Sequence, residues 1–359
     1  MKDRIHNFSA GPAVLPLAVV EKVRENLVNY EGSGLGVMEM SHRGPLFETI
    51  IGEAEACLRR LLQLDNTFAV LFATGGATNQ FSMVPMNLLL PGMVGDYIIT
   101  GTWAEKAYAE AKKFGEVAVA ASSEAERFRS IPKEFRLSPR SAYLHFTSNN
   151  TIVGSQFRHE PDANGTPLIC DASSDFLHKP LAMSRYGLVY AGAQKNLGPA
   201  GVTIVIIRRD LLERCPEQLP IMLDYRTYTN HGSLYNTPPT FPIYVTGAVL
   251  QWIEALGGLE EMERRNNEKA ALLYARLDRS DFYRSVVDPS DRSVMNVTFR
   301  IHDHALEDKF LVEAQARGLD GLQGHRSVGG MRASIYNAFP REGVVALIEF
   351  MDDFEQRFG

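Results

Sequence analysis

The feature that most constrains the fold of this chain is the alternation of short apolar runs with helix-like stretches through its first two-thirds. Helical patterns occupy residues 78–90 and 104–114. The apolar runs lie at 68–73, 96–100, 142–146, 168–170, 188–191 and 202–207. Short buried strands separated by helices are typical of a mostly parallel sheet that is covered on both faces. The sequence therefore predicts an α/β domain.

The last hundred residues have a different pattern and predict a smaller α+β domain that begins near residue 257. Helical patterns at 260–278 and 306–317 flank an alternating strand pattern at 295–301. A final helix carries apolar residues spaced 4, 3 and 4, which places them on one helical face: Leu347, Met351, Phe354 and Phe358.

Charge and cysteine content exclude several classes of protein. The chain has 37 Lys and Arg against 43 Asp and Glu, a net charge of −6, which argues against a general nucleic-acid or anionic-membrane binder. Its three cysteines, Cys57, Cys170 and Cys215, form no CxxC pair, so we expect neither a disulfide framework nor a zinc site. No apolar run approaches the ~18 residues of a membrane span, and the start lacks a signal-peptide core. We therefore expect a cytoplasmic protein without a membrane or nucleic-acid partner.

The segment YAGAQKNLGPAGVTIVII at 190–207 places Lys195 on a glycine-flanked turn between two apolar strand patterns. Burial lowers the pKa of a lysine and makes its amine nucleophilic, so one interpretation is a lysine that forms a Schiff base. A surface turn lysine remains the alternative from this segment alone.

Asp171, in LICDASS, directly follows another strand pattern, 24 residues before Lys195. The carboxyl ends of strands are where α/β sheets present functional groups, and an acid there could hold a protonated pyridine nitrogen. A turn or a helix N-cap is the commoner role of an Asp beside Ser.

Three further segments also follow strand patterns. FATGGATNQ at 72–80 joins two glycines to a helix start, which suits a phosphate, although a capped helix start explains it equally. Trp103 could stack on a planar ring or lie at the edge of the core. Thr151 could bond a cofactor oxygen or serve a turn.

A phosphate cradle, a stacking ring, an acid and a lysine in this order resemble the fold-type I enzymes that use pyridoxal 5′-phosphate (PLP). Over its full length the chain resembles the phosphoserine aminotransferase family of class V aminotransferases. The motifs that carry the resemblance are NFSAGPAVLP at 7–16, VMEMSHRG at 37–44, YAGAQKNLGPAG at 190–201, YNTPPTF at 235–241 and GHRSVGGMRASIYNA at 324–338.

The resemblance implies a homodimer with shared active sites and two domains. The large PLP-binding domain would span 16–256, with a seven-stranded type of sheet. The small domain would combine 257–359 with an N-terminal segment, 1–15, that lines the active site.

Residue by residue, the resemblance implies a cofactor site. Lys195 would carry PLP, Asp171 would pair with the pyridine nitrogen, and Trp103 would stack on the ring. The other implied contacts are those of Thr151 and Gln194 to ring substituents, of Ala77 and Thr78 to the phosphate, and of Asn236 and Thr237 to the phosphate from the partner subunit. Part of the family has Gly-Arg where this chain has Ala77-Thr78, so a hydroxyl and backbone donors replace a charged contact.

The implied reaction is amino transfer between L-glutamate and 3-phosphohydroxypyruvate. Both substrates are anionic at both ends, and guanidinium groups bind carboxylate or phosphate bidentately. The resemblance implies that Arg332 takes the α-carboxylate. It also implies that Arg43, with His325 and Arg326 contributed across the dimer, surrounds the distal anion, while His42 either contacts it or braces the loop.

Several alternatives remain open from the sequence. A second phosphorylated substrate would lead to 4-phosphohydroxy-L-threonine in pyridoxine biosynthesis. Another fold-type I aminotransferase of small amino acids, or a cysteine desulfurase, would share the Lys and Asp pattern, although none of the three cysteines lies on an evident flexible loop. A PLP-binding regulatory protein would need a DNA-binding module, for which the chain has no spare segment.

Overall fold

The computed structural model describes residues 4–359, which form twelve strands and ten α-helices. The strands are β1 His6–Asn7, β2 Phe68–Ala73, β3 Val94–Ile99, β4 Glu116–Ser122, β5 Ser141–Thr147, β6 Leu168–Asp171, β7 Tyr186–Gly192, β8 Thr203–Arg208, β9 Tyr283–Ser285, β10 Asn296–Ile301, β11 Leu319–Asp320 and β12 Met331–Ser334.

The helices lie between and after these strands. They are α1 Leu17–Asn26, α2 Pro45–Leu62, α3 Gly76–Leu88, α4 Thr102–Ala111, α5 Arg209–Leu212, α6 Tyr225–Asn230, α7 Thr240–Ala255, α8 Gly258–Leu277, α9 Glu307–Ala316 and α10 Arg341–Phe358.

Seven strands form the large sheet, in the order β2-β8-β7-β6-β5-β3-β4. The neighbours from β7 to β4 are parallel, whereas β8 is antiparallel to both β7 and β2. The reversal at β8 has a simple cause, since the connection 193–202 is shorter than the crossover of about a dozen or more residues that a parallel pair needs. The predicted α/β fold with a mostly parallel sheet is confirmed.

The strands of this sheet are buried on both faces, which explains their continuous apolar runs. In β2, Phe68, Val70 and Phe72 point into the layer formed with α2 and α7. The intervening Ala69 and Leu71 point into the opposite layer, which is formed with α3 and α4. This period of two residues is that of a pleated strand between two helical layers.

The C-terminal third builds a second core around a three-stranded antiparallel sheet, β12-β10-β9. The N-terminal segment joins this part of the molecule, because β1 pairs with β11 and Phe8 is fully buried in the same core. The pairing favours the division into 16–256 and 1–15 with 257–359, and these bounds stay a prediction. The predicted face of α10 is confirmed, since Leu347 and Phe354 are fully buried.

In the part of the chain that the structure describes, none of the helices combines the length and the apolar character needed to cross a bilayer. All three cysteines are buried and unpaired there.

An aromatic cluster around Phe310 holds the second core together, and it gives a direct test. The Phe310 ring lies 4.8 Å from Phe350 and 5.1 Å from Phe354, centroid to centroid. We expect Phe310→Ala to lower the free energy of unfolding by about 3–5 kcal/mol in denaturant titrations, because the cavity adds to the lost burial. The control is Val312→Ala on the same helix, 68% exposed, which should change it by less than about 0.5 kcal/mol.

Candidate active site

The candidate site lies where β6, β7 and β8 meet at one edge of the large sheet. Asp171 is the last residue of β6, opposite Tyr190 of β7. Lys195 lies on the turn that reverses the chain from β7 into β8. Because the carboxyl ends of parallel strands share an edge, the topology places the acid and the lysine in one pocket.

The amine of Lys195 is held between Thr151 and Trp103. Its Nζ donates a hydrogen bond to the Thr151 hydroxyl at 2.7 Å and lies 5.3 Å from the centroid of the Trp103 ring. Burial lowers the pKa of Lys195 to about 8, the positive charge of Arg332 acts in the same direction, and the carboxylate of Asp171 opposes them. A substantial neutral fraction near neutral pH is what a nucleophile or a base requires.

The carboxyl group of Asp171 is deeply buried, with 3% of the residue exposed. Its Oδ1 accepts a hydrogen bond from the backbone N–H of Ser173 at 3.0 Å. Burial raises its pKa, while the Ser173 hydrogen bond and the charge of Lys195 act in the opposite direction. A carboxylate has about four acceptor positions, so the group keeps acceptor capacity for a cationic ring nitrogen beside its bond to Ser173.

A close backbone approach fixes Trp103 relative to Thr151. The Asn150 side chain donates to the Thr100 carbonyl at 2.6 Å and accepts from the backbone N–H of Ile152 at 3.0 Å. A Cβ on Gly101, whose φ is +155°, would lie 2.3 Å from the Asn150 amide nitrogen, so only glycine fits between the strand end and α4. The sequence did not predict this role of Asn150, because no motif around this residue indicates it.

The start of α3 forms a cradle of free backbone N–H groups. Gly75 has φ +89° and precedes the helix, whose first hydrogen bond runs from the Asn79 N–H to the Gly75 carbonyl. The N–H groups of Gly76, Ala77 and Thr78 therefore have no acceptor within the helix. Such a helix start suits a phosphate group.

Arg332 reaches the same pocket from the small sheet. Its Nη1 donates to the carbonyl of Thr151 at 3.1 Å, and its Nε is buried without an acceptor among residues 4–359. Burial lowers the pKa of this guanidinium. The pocket thus offers donors that an anionic ligand would satisfy.

The N-terminal segment packs against the lysine turn. Ala13 N–H donates to the Gln194 carbonyl at 2.9 Å, and a Cβ on Gly11 would lie 3.1 Å from Cγ of Lys195. The hydroxyl of Tyr336 donates to the Ala10 carbonyl at 2.8 Å. Residues 10–13 therefore border the pocket.

These groups fit PLP by their chemistry. The buried N–H of Trp103 finds no acceptor in the described part of the chain, and it lies beside the lysine amine. A lysine of lowered pKa suits the aldehyde of that cofactor, and a buried carboxylate suits its ring nitrogen. The indole ring suits the ring face, and the helix start suits the phosphate.

The other predicted site residues lie outside this pocket. Arg43, Asn236, Thr237 and Arg326 are exposed in the single chain. Among residues 4–359 their side chains donate no hydrogen bond to the pocket. Their predicted roles therefore stay predictions that depend on a second copy of the chain.

The two predicted site histidines are half-buried. His42 Nε2 has no partner among residues 4–359. His325 Nδ1 bonds the Ser327 hydroxyl at 2.7 Å. Partial burial lowers the pKa of His325, and the charges of Arg332, Arg326 and Lys106 add to this effect. His325 therefore lies near Arg332 of its own chain, and its contribution across a dimer stays a prediction.

Comparisons with known proteins agree over the whole chain. The family model described as aminotransferase class V matches residues 5–347. The phosphoserine aminotransferase of Desulfatibacillum aliphaticivorans is 53% identical, with 100% of both chains covered. Two solved structures are similar: a phosphoserine aminotransferase from Bacillus circulans subsp. alkalophilus (51% identity, 99% of each chain, TM-score 0.98) and a PLP-bound one from Trichomonas vaginalis (39% identity, 97% of this chain and 100% of that chain, TM-score 0.93).

The lowered pKa of Lys195 predicts how its amine reacts with pH. We expect the rate of acylation of Lys195 in the protein freed of cofactor to rise with pH and to reach half its maximum at a pH of about 8. Peptide mass spectrometry measures this rate. Asp171→Asn should move this midpoint down, because it removes the charge that stabilises the ammonium. Arg332→Met should move it up, because it removes a like charge. A midpoint near that of an unperturbed lysine, about 10.4, would contradict the prediction.

Proposed function

The chain belongs to the class V aminotransferases, a family of PLP-dependent enzymes, and we propose that it transfers an amino group reversibly between L-glutamate and 3-phosphohydroxypyruvate. The products are 2-oxoglutarate and 3-phospho-L-serine, so the enzyme serves serine biosynthesis. The observation that carries this proposal is the meeting of Lys195, Asp171 and Arg332 in one pocket of a chain about half identical, end to end, to phosphoserine aminotransferases.

Lys195, Asp171 and Thr151 would each have a distinct role in the reaction. Bound PLP supplies an aldehyde for amino groups and a ring that withdraws electrons from the substrate's α-carbon. Asp171 would keep the ring nitrogen protonated through its carboxylate. The neutral amine of Lys195 would accept the α-proton at Nζ and later return a proton. The Thr151 hydroxyl, 2.7 Å from Nζ, would orient that amine.

Trp103, Gln194 and the α3 start complete the proposed cofactor site. The indole would cover the ring face, and the lysine turn would present Gln194 to a ring substituent. Ala77 and Thr78 would donate backbone N–H groups to the phosphate. The exposed Thr78 side chain is also free to add its hydroxyl.

Arg332 explains how one site serves two substrates. Both L-glutamate and 3-phosphoserine carry an α-carboxylate, and the guanidinium beside Lys195 keeps an unpaired buried Nε for it. The distal γ-carboxylate or phosphate would then be bound by Arg43, His325 and Arg326, with His42 bracing or extending this set. A local concentration of cations in a chain of net charge −6 favours dianionic substrates.

We also propose a homodimer with shared active sites. Two observations support it. Arg43, Asn236 and Thr237 are exposed in the single chain although the resemblance assigns them to the site. Large apolar side chains are also exposed next to them in the sequence: Leu35 and Met38 shortly before Arg43, and Tyr235 directly before Asn236.

We also propose that the enzyme works in the cytoplasm, since its three cysteines are free thiols.

The substrate proposal is tested by steady-state kinetics with glutamate and a panel of 2-oxo acids. The phosphorylated oxo acids, 3-phosphohydroxypyruvate and its pyridoxine-pathway analogue, should be used far better than unphosphorylated ones. An equal preference for small unphosphorylated oxo acids would favour an aminotransferase of small amino acids instead. Borohydride reduction of the loaded protein, followed by digestion, should label the peptide that contains Lys195.

Arg332→Ala should weaken both substrates together, because both present an α-carboxylate. We expect kcat/KM to fall about 100-fold for glutamate and for the phosphorylated oxo acid, as befits the loss of a charged hydrogen-bonded pair. The control is Arg284→Ala, an exposed arginine on β9 of the same small sheet. A loss confined to one substrate would contradict a shared carboxylate site.

Hybrid dimers test whether the sites are shared. Neither Lys195→Ala nor Asn236→Asp protein should be active alone, the latter because a carboxylate would repel the cofactor phosphate. Mixed dimers of the two should regain activity, because one of their sites then combines an intact lysine with an intact asparagine of the other chain. Dimers of wild type with the double variant should stay inactive. The opposite pattern in these two mixtures would show that Asn236 acts within its own chain.

A further inference from the structure

A short irregular segment behind the active site has its backbone held by asparagine side chains. It follows β6 by a few residues, and each of its three consecutive carbonyl groups accepts a hydrogen bond from a different asparagine. The pairs are Asn196 Nδ2 to Phe176 O at 2.7 Å, Asn337 Nδ2 to Leu177 O at 3.0 Å and Asn266 Nδ2 to His178 O at 3.1 Å.

The asparagines also bind one another, and we call Asn196, Asn266 and Asn337 the asparagine hub. The backbone N–H of Asn337 donates to Asn196 Oδ1 at 2.9 Å, and Asn266 Nδ2 donates to Asn337 Oδ1 at 2.8 Å. The three residues are 6%, 0% and 6% exposed respectively. Each bond lost from this buried network would leave a further unpaired polar group beside Asn266 Oδ1, which has no partner among residues 4–359.

The hub joins the three parts of the molecule that carry the site. Asn196 directly follows Lys195. Asn337 lies just after β12, which carries Arg332. The segment 176–178 continues from Asp171 and contains Leu177 at φ +59°, a conformation that a bulky residue adopts only when its surroundings impose it.

The turn that carries Asn337 is fixed from its other side by a buried lysine. Lys269, one helical turn after Asn266 on α8, donates from Nζ to the carbonyls of Ile335, Tyr336 and Phe339 at 3.1, 2.6 and 3.1 Å. Three carbonyl acceptors surround the ammonium. The turn is therefore anchored to α8 both by Lys269 and by Asn266.

We propose that Asn196 and Asn337 are positioning residues of the reaction, which set the amine of Lys195 at a fixed distance from the guanidinium of Arg332. The two groups belong to different sheets, and the hub is a direct side-chain connection between the turn after β7 and the segment after β12. A displacement of about 1 Å between reacting groups costs up to about 100-fold in rate. This inference rests on the proposed roles of Lys195 and Arg332.

Asn196→Ala tests the proposal against a matched control, Asn87→Ala, because the bond between the two segments runs from the Asn337 backbone N–H to the Asn196 side chain. Asn87 is also fully buried, and its side chain makes a comparable set of bonds, with two carbonyls as acceptors (Met83 and Leu223, 2.8 Å each) and one backbone N–H as donor (Tyr225, 3.1 Å). It lies at the far end of α3, outside the hub. Both substitutions should lower the melting temperature by similar amounts.

Only the hub variant should change the site. For Asn196→Ala we expect kcat/KM to fall about 100-fold with both substrates and the pH titration of the bound cofactor's visible absorbance to shift. Amide hydrogen exchange in peptides spanning 193–198 should also become about tenfold faster, with and without cofactor, because the turn loses its side-chain hydrogen bonds to Phe176 O and from the Asn337 N–H. The exchange measurement needs no substrate, so it holds even if the proposed substrates are wrong.

The proposal is overturned if Asn196→Ala loses stability like Asn87→Ala but keeps wild-type exchange at 193–198 and a wild-type absorbance titration. If Asn196→Ala does not fold, Asn196→Leu replaces it, since leucine has the same branched shape, carries no charge and makes no hydrogen bond. In a double-mutant cycle, Asn196→Ala and Asn337→Ala should be less than multiplicative in kcat/KM, because they disrupt one unit. Independent effects of the two would also overturn it.

Discussion

Two cationic groups converge on one residue, Thr151, and the rest of the site depends on this arrangement. The hydroxyl of Thr151 accepts from the amine of Lys195, and its carbonyl accepts from the guanidinium of Arg332. Like charges held this closely in a buried pocket disfavour the ionised form of the one that can lose a proton. Burial is the largest cause of the lowered pKa of Lys195, and Arg332 adds to it because an arginine does not lose its proton in practice. The arginine that we propose to bind the α-carboxylate therefore also favours the neutral amine that the proposed base requires.

The topology explains why these groups can meet. A parallel strand after β7 would require a longer crossover connection, whereas the connection 193–202 into antiparallel β8 leaves Lys195 at the open edge of the sheet. Asp171 ends the neighbouring strand and stands behind the lysine. Arg332 comes from the second sheet, so the pocket lies between the two cores and closes only where both are correctly joined. The asparagine hub occupies that joint.

Much of this could be predicted from the sequence, because the strongest signals are local. The run at 68–73 is β2 to the residue, and helical periodicity located α8 and α9 within a few residues and the buried face of α10. The edge strand β4 was missed, since its small, half-exposed side chains give neither a buried run nor a clear alternation. Helix α7 was not predicted either, although its apolar residues cover one side of the sheet.

Some residues of the site could be predicted from the sequence, and others could not. Lys195, Asp171, Trp103, Thr151 and Arg332 lie in motifs, and the structure brings them together. The roles of Asn150, Asn266 and Asn337 could not be found this way, although Asn337 lies in the motif at 324–338, because each donates to a backbone carbonyl far away in the sequence. A single asparagine carries no information about which carbonyl it will meet. Only the fold determines that pairing.

The use of asparagine at the joint follows from what the backbone leaves unsatisfied. Residues 176–178 belong to neither a helix nor a strand, so their carbonyls receive no ladder bonds, and they are buried. An apolar side chain in place of each asparagine would fill the space and leave three acceptors unpaired, at about 1–3 kcal/mol each. An ionised side chain would require a counter-charge close to Lys195 and would shift its pKa. The neutral amide satisfies the carbonyls without adding charge to the pocket, so the electrostatic balance between Lys195, Asp171 and Arg332 is left undisturbed.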